Sequence, residues 1–223
     1  MIAPAASSAR ISSARSAWMI ALAVLMLLYP LVAPAVECRA FDAAHGGVTF
    51  ETVDSALPVR GRFRHFDGEV CLTGDSVTSV DVRLEPGSVD TGLFFLDAIL
   101  RDEAFFAVAA HPYAAFTSDR ISRDGEVLTV AHGSLSLKDV TRPVDVPFTL
   151  ERDAAGLAVS GALVFERAAY HVGTTGVWAR ADWLGGSVRI TFRARLAPAD
   201  ATLKMPTLRS SCAHEQACAR LNG

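Results

Sequence analysis

The sequence contains none of the short motifs that mark common enzyme classes. Its 223 residues include no Gly-x-Ser-x-Gly nucleophile turn, no His-Glu-x-x-His zinc motif, no Cys-x-x-Cys pair and no glycine-rich phosphate loop. The histidines also lack a spacing typical of metal ligands. They are His45, His65, His111, His132, His171 and His214. We therefore expect a protein that is not an enzyme and holds no metal and no cofactor.

An excess of positive charge is also absent. The chain has 21 basic and 24 acidic residues, and its arginines are scattered along alternating positions, as in Arg189, Arg193 and Arg195. This pattern indicates a solvated outer face and not a track for phosphates. We expect no nucleic-acid partner.

The N-terminus is predicted to be a signal peptide. Arg10 and Arg15 precede an uncharged apolar stretch, and Ala33 and Ala35 are the small residues that a signal peptidase reads. Cleavage after Ala35 would remove two arginines and no acid, which changes the net charge from −3 to −5. The alternative is an uncleaved membrane anchor. The predicted divisions are a signal peptide over 1–35, one domain over 36–197 and a C-terminal tail over 198–223, in a protein exported to the periplasm or the medium.

Four cysteines in an exported chain are expected to pair. Cys212 and Cys218 are close in sequence and form the first candidate bridge. Cys38 and Cys71 form a second, which would attach the mature N-terminus to an early strand. Signal cleavage a few residues later would delete Cys38 and leave Cys71 free.

A period of two in apolar and polar residues predicts eight strands that are wetted on one face. They are 48–53, 57–63, 80–84, 115–121, 127–137, 144–150, 157–165 and 188–192. Turn residues separate them, for example Asp67 and Gly68. Short connections favour antiparallel neighbours, so the predicted fold is an all-β, eight-stranded antiparallel barrel. Between 91 and 108 the apolar spacing changes to three and four residues, which predicts a short helix at a barrel end, with Asp90 or Thr91 as its N-cap.

Several ordered fragments resemble the YceI-like family of exported, lipid-binding, lipocalin-like barrels. Residues 130–144 are similar to the family motif G-x-L-T-[IL]-x-G-V-T-[KR]-P-V, and residues 59–68 to G-x-F-x-x-F-x-G. Residues 88–118 follow the family's S-I-D-T-G segment and the Phe-Phe and Pro-containing stretch after it. The resemblance covers about 41–196. It departs at Leu96 and Ile99, where the family usually carries Arg and His. If those two positions bind the polar end of the ligand in relatives, this protein either uses another group for that purpose or binds a ligand with a less polar head.

The resemblance implies that a long-chain isoprenoid or similar lipid binds inside the barrel. The candidate ligand-binding residues lie on the apolar strand faces and at the barrel end where the ligand would enter. They are Phe50, Phe63, Phe105, Phe106, Phe116, Phe148, Phe165, Phe192, Asp97 and Arg167. Small residues between the rings, namely Gly61, Gly133 and Gly161, are expected to leave gaps that form an elongated slot. An eight-stranded barrel can equally be filled by its own side chains.

Two other functions stay open at the level of sequence. An enzyme acting on a hydrophobic substrate would draw on Asp97, Asp102 and Glu103 of the predicted helix, or on His45 and His171 beside glycines. A protein-interaction module of the cell envelope would instead use two tryptophans and the C-terminal tail as a docking surface. Those tryptophans are Trp178 and Trp183. Transient membrane contact is compatible with the lipid-binding function.

Overall fold

The described residues fold into one curled antiparallel sheet with a single α-helix. A computed structural model describes residues 35–53, 55–125, 128–154 and 156–198. The strands are β1 Val36–Asp42, β2 Gly46–Val53, β3 Arg60–Phe63, β4 Phe66–Thr73, β5 Ser76–Leu84, β6 Val89–Asp90, β7 Ala114–Asp124, β8 Leu128–Leu137, β9 Val140–Asp153, β10 Gly156–Glu166 and β11 Ser187–Arg195. Helix α1 is Phe94–Arg101, and 3-10 helices cover Pro86–Ser88, Arg167–Tyr170, Gly176–Arg180 and Asp182–Leu184.

The predicted all-β barrel with one helix at its end is confirmed, although eleven strands replace the expected eight. The strand order is β1-β4-β5-β7-β8-β9-β10-β11-β2-β3-β6. A short turn joins β1 to β2, and these two strands pair with β4 and β11 respectively. The end of β11 meets the same turn, because Arg195 N donates to His45 O (2.9 Å) and Ala197 N donates to Ala40 O (2.8 Å). The sheet therefore curls back on itself around an apolar interior.

The segment 60–73 contains a bend that the predicted strands did not include. Phe63 and Phe66 are both buried although they are three residues apart, which strict alternation would place on opposite faces. At the bend, the backbone N–H groups of Arg64 and His65 are satisfied by the Ser88 hydroxyl at 3.2 and 3.0 Å. The prediction of a turn at Asp67 and Gly68 is wrong, because both residues lie inside β4. The bend two residues earlier changes the phase of the alternation.

Three of the glycines that the sequence shows near the rings are sites of close approach. Gly61 lies opposite Phe50 and Gly161 opposite Phe192, and a Cβ added at either would come within 2.7 Å of the facing ring. At Gly133 the close neighbour is the backbone of Thr117, beside an irregularity of the β7–β8 ladder. The expectation that these glycines leave gaps is wrong. Aromatic rings cover Gly61 and Gly161, as rings often do over strand glycines.

Helix α1 has a different N-terminus from the predicted one. Its N-cap is Leu93, with no side-chain capping bond, so the prediction of Asp90 or Thr91 is wrong. Asp97 instead ties the helix to the residue after β6, since its Oδ1 accepts bonds from the Thr91 N–H (2.8 Å) and hydroxyl (2.6 Å). At the other end, Arg101 donates to the carbonyl oxygens of Gly87 and Val89, both at 2.8 Å. Both ends of the helix are thus attached to the segment around β6.

A disulfide joins β1 to β4. Cys38 and Cys71 lie directly opposite each other and are bonded, in agreement with the second predicted bridge. The predicted bridge between Cys212 and Cys218 lies outside the described residues. Residues 1–34 of the predicted signal peptide (1–35) and residues 199–223 of the predicted tail (198–223) also lie outside them. Within the described ranges, no helix is both long and apolar enough to cross a bilayer.

Candidate functional site

The interior of the barrel holds an apolar cavity of about 720 Å³. This volume lies within the roughly 300–1,000 Å³ of typical small-molecule sites. All the strands except the very short β6 contribute side chains to the wall, and α1 and the loops over 102–113 and 171–186 cover one end. Among the described residues, no acidic side chain lines the cavity. The interior is therefore hollow and suited to an apolar guest.

Nine of the ten residues predicted from the sequence lie on the cavity wall. They are Phe50, Phe63, Phe105, Phe106, Phe116, Phe148, Phe165, Phe192 and Arg167. Asp97 does not line the cavity, and its bonds to Thr91 give it a structural role in holding α1. The alternation of apolar residues identified the wall because each strand presents one face to the interior.

The rings form a connected lining. Phe63 packs against Phe50 at 5.3 Å and Phe106 at 5.9 Å between ring centroids, both in tilted arrangements. Phe105 meets Trp178 edge to face at 5.1 Å. Such contacts contribute beyond simple burial and fix ring positions. The lining is held in place by its own packing and does not depend on a guest.

Arg167 is a cation of the cavity wall whose guanidinium group forms three hydrogen bonds with backbone carbonyl oxygens. Its Nε donates to Gly185 O (2.7 Å), and its Nη1 donates to Val172 O (2.9 Å) and Gly173 O (2.8 Å). Within the described residues it forms no ion pair, and its Nη2 has no hydrogen-bond partner. One face of the guanidinium thus positions the 171–186 loop, and one amino group stays available.

Tyr170 packs against the wall residue Phe165 but does not itself line the cavity. Its ring packs edge to face on Phe165 at 5.2 Å, and its hydroxyl is the single buried side-chain polar atom without a partner in the described part of the chain. Burial raises the pKa of Tyr170, and the nearby Arg142 charge offsets this in part. The hydroxyl is neutral at physiological pH and is a hydrogen-bond donor without an acceptor.

Leu96 and Ile99 both line the cavity. These are the two helix positions where the sequence departs from the family pattern by carrying aliphatic residues instead of Arg and His. The helix side of the cavity wall is therefore aliphatic at these two positions.

Sequence reasoning missed other wall residues. Phe41 and Phe66 line the cavity from β1 and β4, two strands that were not predicted. Trp178 and Trp183, which the sequence pointed to as part of a docking surface, also lie on the wall. The family-like motif Gly-x-Phe-x-x-Phe-x-Gly contained the signal for Phe66, but its three-residue spacing is meaningful only once the bend after Phe63 is known.

The cavity reaches the surface where wall residues are also exposed. Leu57, Leu93, Phe95 and Trp183 are between 43% and 61% exposed and line the cavity at the same time. The Ser55 hydroxyl contacts the carbonyl oxygens of Leu57 and Trp183, both at 2.7 Å, which brings two of these segments together. An apolar opening is formed by the β2–β3 loop, the start of α1 and the loop before β11.

A Ser–His–Asp arrangement lies elsewhere on the molecule. Ser122 Oγ is 2.7 Å from His132 Nε2, and His132 Nδ1 is 2.6 Å from Asp145 Oδ1. None of the three residues lines the large cavity or the smaller one of about 170 Å³ beside β11. The arrangement has the connectivity of a catalytic triad but no adjoining cavity of those two to receive a substrate.

The histidines singled out from the sequence have local partners. His45 Nδ1 lies 2.8 Å from Asp42 Oδ1, and this bond lowers the pKa of Asp42. His171 Nδ1 is 3.5 Å from Asp139. The one cluster of metal-ligand types in the described residues contains Cys38 and Cys71, whose sulfur atoms are bonded to each other. None of these groups belongs to the large cavity.

Comparisons with known proteins agree with this geometry. Residues 40–196 match the family model of the YceI-like domain. A UPF0312 protein of Pectobacterium carotovorum is 38% identical over 86 residues, which cover 38% of this chain and 44% of that protein. A protein named YceI from Salmonella arizonae is 37% identical over 98 residues, or 43% of this chain and 49% of the relative. The chain thus matches about half the length of these curated relatives.

Solved structures share the fold. BcnA of Burkholderia cenocepacia is similar with a TM-score of 0.66 and 25% identity, over 71% of this chain and 99% of that chain. A polyisoprenoid binding domain from Saccharophagus degradans, implicated in plant cell wall breakdown, is similar with a TM-score of 0.56 and 17% identity. That likeness covers 73% of this chain and 100% of the other.

Proposed function

This chain belongs to the YceI-like domain family, and from that premise we propose that it is an exported, non-catalytic carrier of a long-chain isoprenoid or similar lipid. The lipid would lie in the aromatic-lined cavity of about 720 Å³. This cavity is the observation that carries the proposal, because a barrel interior can equally be filled by its own side chains and this one is not.

The energetics of an apolar tail fit reversible carriage. Burying a chain of about fifteen carbons from water contributes roughly 12 kcal/mol at ~0.8 kcal/mol per methylene, against association costs of ~4–15 kcal/mol. A lipid that comes from a bilayer is already away from water, so the two environments differ little in free energy. Transfer in either direction then needs no chemical step.

The polar groups near the cavity favour a weakly polar head group. Leu96 and Ile99 make the helix side of the wall aliphatic. Arg167 also lines the cavity, with one unpaired amino group and no acidic partner among the described residues. A head group that accepts one or two hydrogen bonds, such as a hydroxyl, carbonyl or quinone oxygen, is what we expect at this end.

The proposed location follows from the N-terminal leader predicted by the sequence and from the Cys38–Cys71 disulfide, a bond that persists in oxidising compartments. We propose the periplasm or the medium.

Ligand extraction tests the carrier function. The protein is purified without detergent and extracted into organic solvent, and we expect mass spectrometry to find a stoichiometric long-chain species. Leu163→Trp would fill the cavity, whereas Val164→Trp, on the next residue of β10 and half exposed on the outer wall, is the matched control. We expect the first variant to lose the extracted lipid and the second to keep it. Equal loading of both variants, or an empty extract from wild type, would contradict the proposal.

An esterase is the second candidate, favoured by the arrangement of Ser122, His132 and Asp145. A serine hydrolase of this type would form an acyl ester on Ser122, release the alcohol and then transfer the acyl group to water. We expect the wild type to hydrolyse p-nitrophenyl esters no faster than Ser122→Ala and to resist a fluorophosphonate probe. Labelling that depends on both Ser122 and His132 would overturn the non-catalytic proposal.

A further inference from the structure

The exposed apolar residues of this protein are concentrated around the opening of its cavity. Nine large apolar side chains are exposed in the described residues, and six belong to the three segments that surround the opening. We call these six residues the rim. They are Leu57, Leu93, Phe94, Phe95, Val177 and Trp183. Single exposed apolar residues are ordinary, but a concentration of them marks an interaction surface.

Ligand binding inside the cavity does not account for the whole rim. Phe94 and Val177 are the two most exposed of the nine, at 86% and 80%, and neither lines the cavity. The Phe94 ring contacts Phe95 edge to face at 6.1 Å, so it extends the apolar surface outward from the wall. These two residues need a partner outside the molecule to be removed from water.

The rim and the cavity form one continuous apolar surface. Leu57, Leu93, Phe95 and Trp183 are rim residues and wall residues at once. A lipid tail can therefore move from an apolar environment outside the rim into the cavity without crossing water. This continuous apolar surface is useful only if the partner that contacts the rim also contains the lipid.

Charge next to the rim also fits the surface of a bilayer. Arg60 lines the opening and is exposed, with Glu51 as an ion-pair partner at 3.5 Å. Arg180 is exposed in the same 3-10 helix as Val177 and forms no ion pair within the described part of the chain. When aromatic and aliphatic side chains enter the acyl-chain region of a bilayer, guanidinium groups beside them lie at the depth of the lipid phosphates. We propose that the rim docks on a lipid bilayer and that lipid exchange occurs through this contact. The inference rests on the carrier function proposed above.

The segments that carry the rim are fixed before docking. Asp97 and Arg101 attach α1 to the segment around β6, and Ser55 ties the carbonyl of Leu57 to that of Trp183. Gly173 N donates to Ala104 O at 2.7 Å, which joins the loop after α1 to the loop before β11. A preformed surface loses little conformational freedom on contact.

Vesicle binding tests the docking surface. The double variant Phe94→Asp/Val177→Asp changes only residues outside the cavity wall, and an acid at the first position of a helix is favourable for α1. Its control is Val164→Asp, which replaces an exposed valine on β10. In sedimentation with phosphatidylcholine vesicles, we expect the double variant to bind roughly ten- to a hundredfold more weakly than wild type. We expect the control to bind as wild type does.

A second measurement separates docking from ligand binding. Loading with cis-parinaric acid in the absence of vesicles reports on the cavity alone, and we expect wild type, double variant and control to load equally. Transfer of the same probe from vesicles should be slower for the double variant only. Equal vesicle binding by all three proteins would overturn the docking proposal while normal loading left the carrier function standing. A wild type that fails to load would instead contradict the carrier function.

A surface of this kind can also pair with a second copy of the chain, and the same variants decide between the two partners. Sedimentation velocity without lipid should show a monomer for wild type and double variant alike. A wild-type dimer that the double variant abolishes, together with absent vesicle binding, would assign the rim to self-association and overturn the proposal.

Discussion

At the scale of single residues, pairs of a glycine and a facing ring shape the interior. Phe50 faces Gly61 and Phe192 faces Gly161, and ring atoms of both phenylalanines extend over the glycine of the neighbouring strand. A ring that lies along the wall takes less of the lumen than one that points across it. The glycines therefore help to keep the cavity open, although they are not gaps themselves.

Gly61→Ala should destabilise the protein. The new methyl group would lie 2.6 Å from Phe50 Cε1 and 3.0 Å from the carbonyl oxygen of Asp90, so the ring or the strand must move. We expect a loss of about 1–3 kcal/mol in the free energy of unfolding, measured by urea denaturation. Gly47→Ala on the adjacent strand β2 is the control, because no atom lies within 4 Å of its added Cβ. Equal stability of the two variants would contradict the close approach.

At the scale of elements, the short strand β6 is held by ion pairs of Asp90 as well as by its backbone pairing with β3. Asp90 Oδ2 accepts bonds from Arg64 Nη2 and Arg62 Nε, both at 2.8 Å, while its Oδ1 accepts from the Gly92 N–H. The hydrogen bonds from Arg64 and Arg62 lower the pKa of Asp90 from 3.8 to about 2. The carboxylate thus joins β3, β6 and the entry to α1.

This pKa predicts a pH dependence of stability. A carboxyl group whose pKa is lower in the folded protein contributes its full stabilisation above the unfolded value of 3.8 and loses it as the pH falls through about 2. We expect Asp90→Asn to be less stable than wild type near neutral pH, with a difference that shrinks between these two values. Urea denaturation across that range measures it. Asp75→Asn, at a site that is 94% exposed, should show no comparable trend.

At the scale of the whole molecule, the barrel is closed through its N-terminal strand. Among the described strands, β1 pairs only with β4, and the Cys38–Cys71 bond lies within that pairing. Hydrogen bonds from Arg195 and Ala197 join the other side of the sheet to the same strand and its turn. The disulfide therefore secures the strand on which closure depends.

Removing the bond should lower global stability but leave the cavity able to bind. The two cysteines are 33 residues apart, and the chain-entropy model gives a stabilisation of about 3–4 kcal/mol for such a loop. We expect Cys38→Ser/Cys71→Ser to melt lower by on the order of 10 °C. Reduction of wild type should produce a similar shift, and cis-parinaric acid should still bind below the new Tm. An unchanged Tm would mean that the bond does not constrain the fold.

The sequence predicted the parts of this protein that follow regular periodicity. Strands β7 to β11 and most of the aromatic wall were found because apolar residues alternate there without interruption. Strand β4 was missed because Asp67 and Gly68 look like a turn, and their place in a strand depends on a bend supported by the distant Ser88. The wall role of Trp178 and Trp183 was missed because 3-10 helices and loops have no period that shows which side chains face inward.

The attachments of α1 have a consequence for selectivity. With Asp97 and Arg101 bonded to the β6 segment, the helix is not free to swing aside as a hinged cover would. We then expect guests to enter end first, through an opening that the helix does not widen. Slender chains, including isoprenoid chains with one methyl group on each unit, can enter through such an opening, whereas fused-ring molecules of equal hydrophobicity, such as sterols, should be excluded by their width.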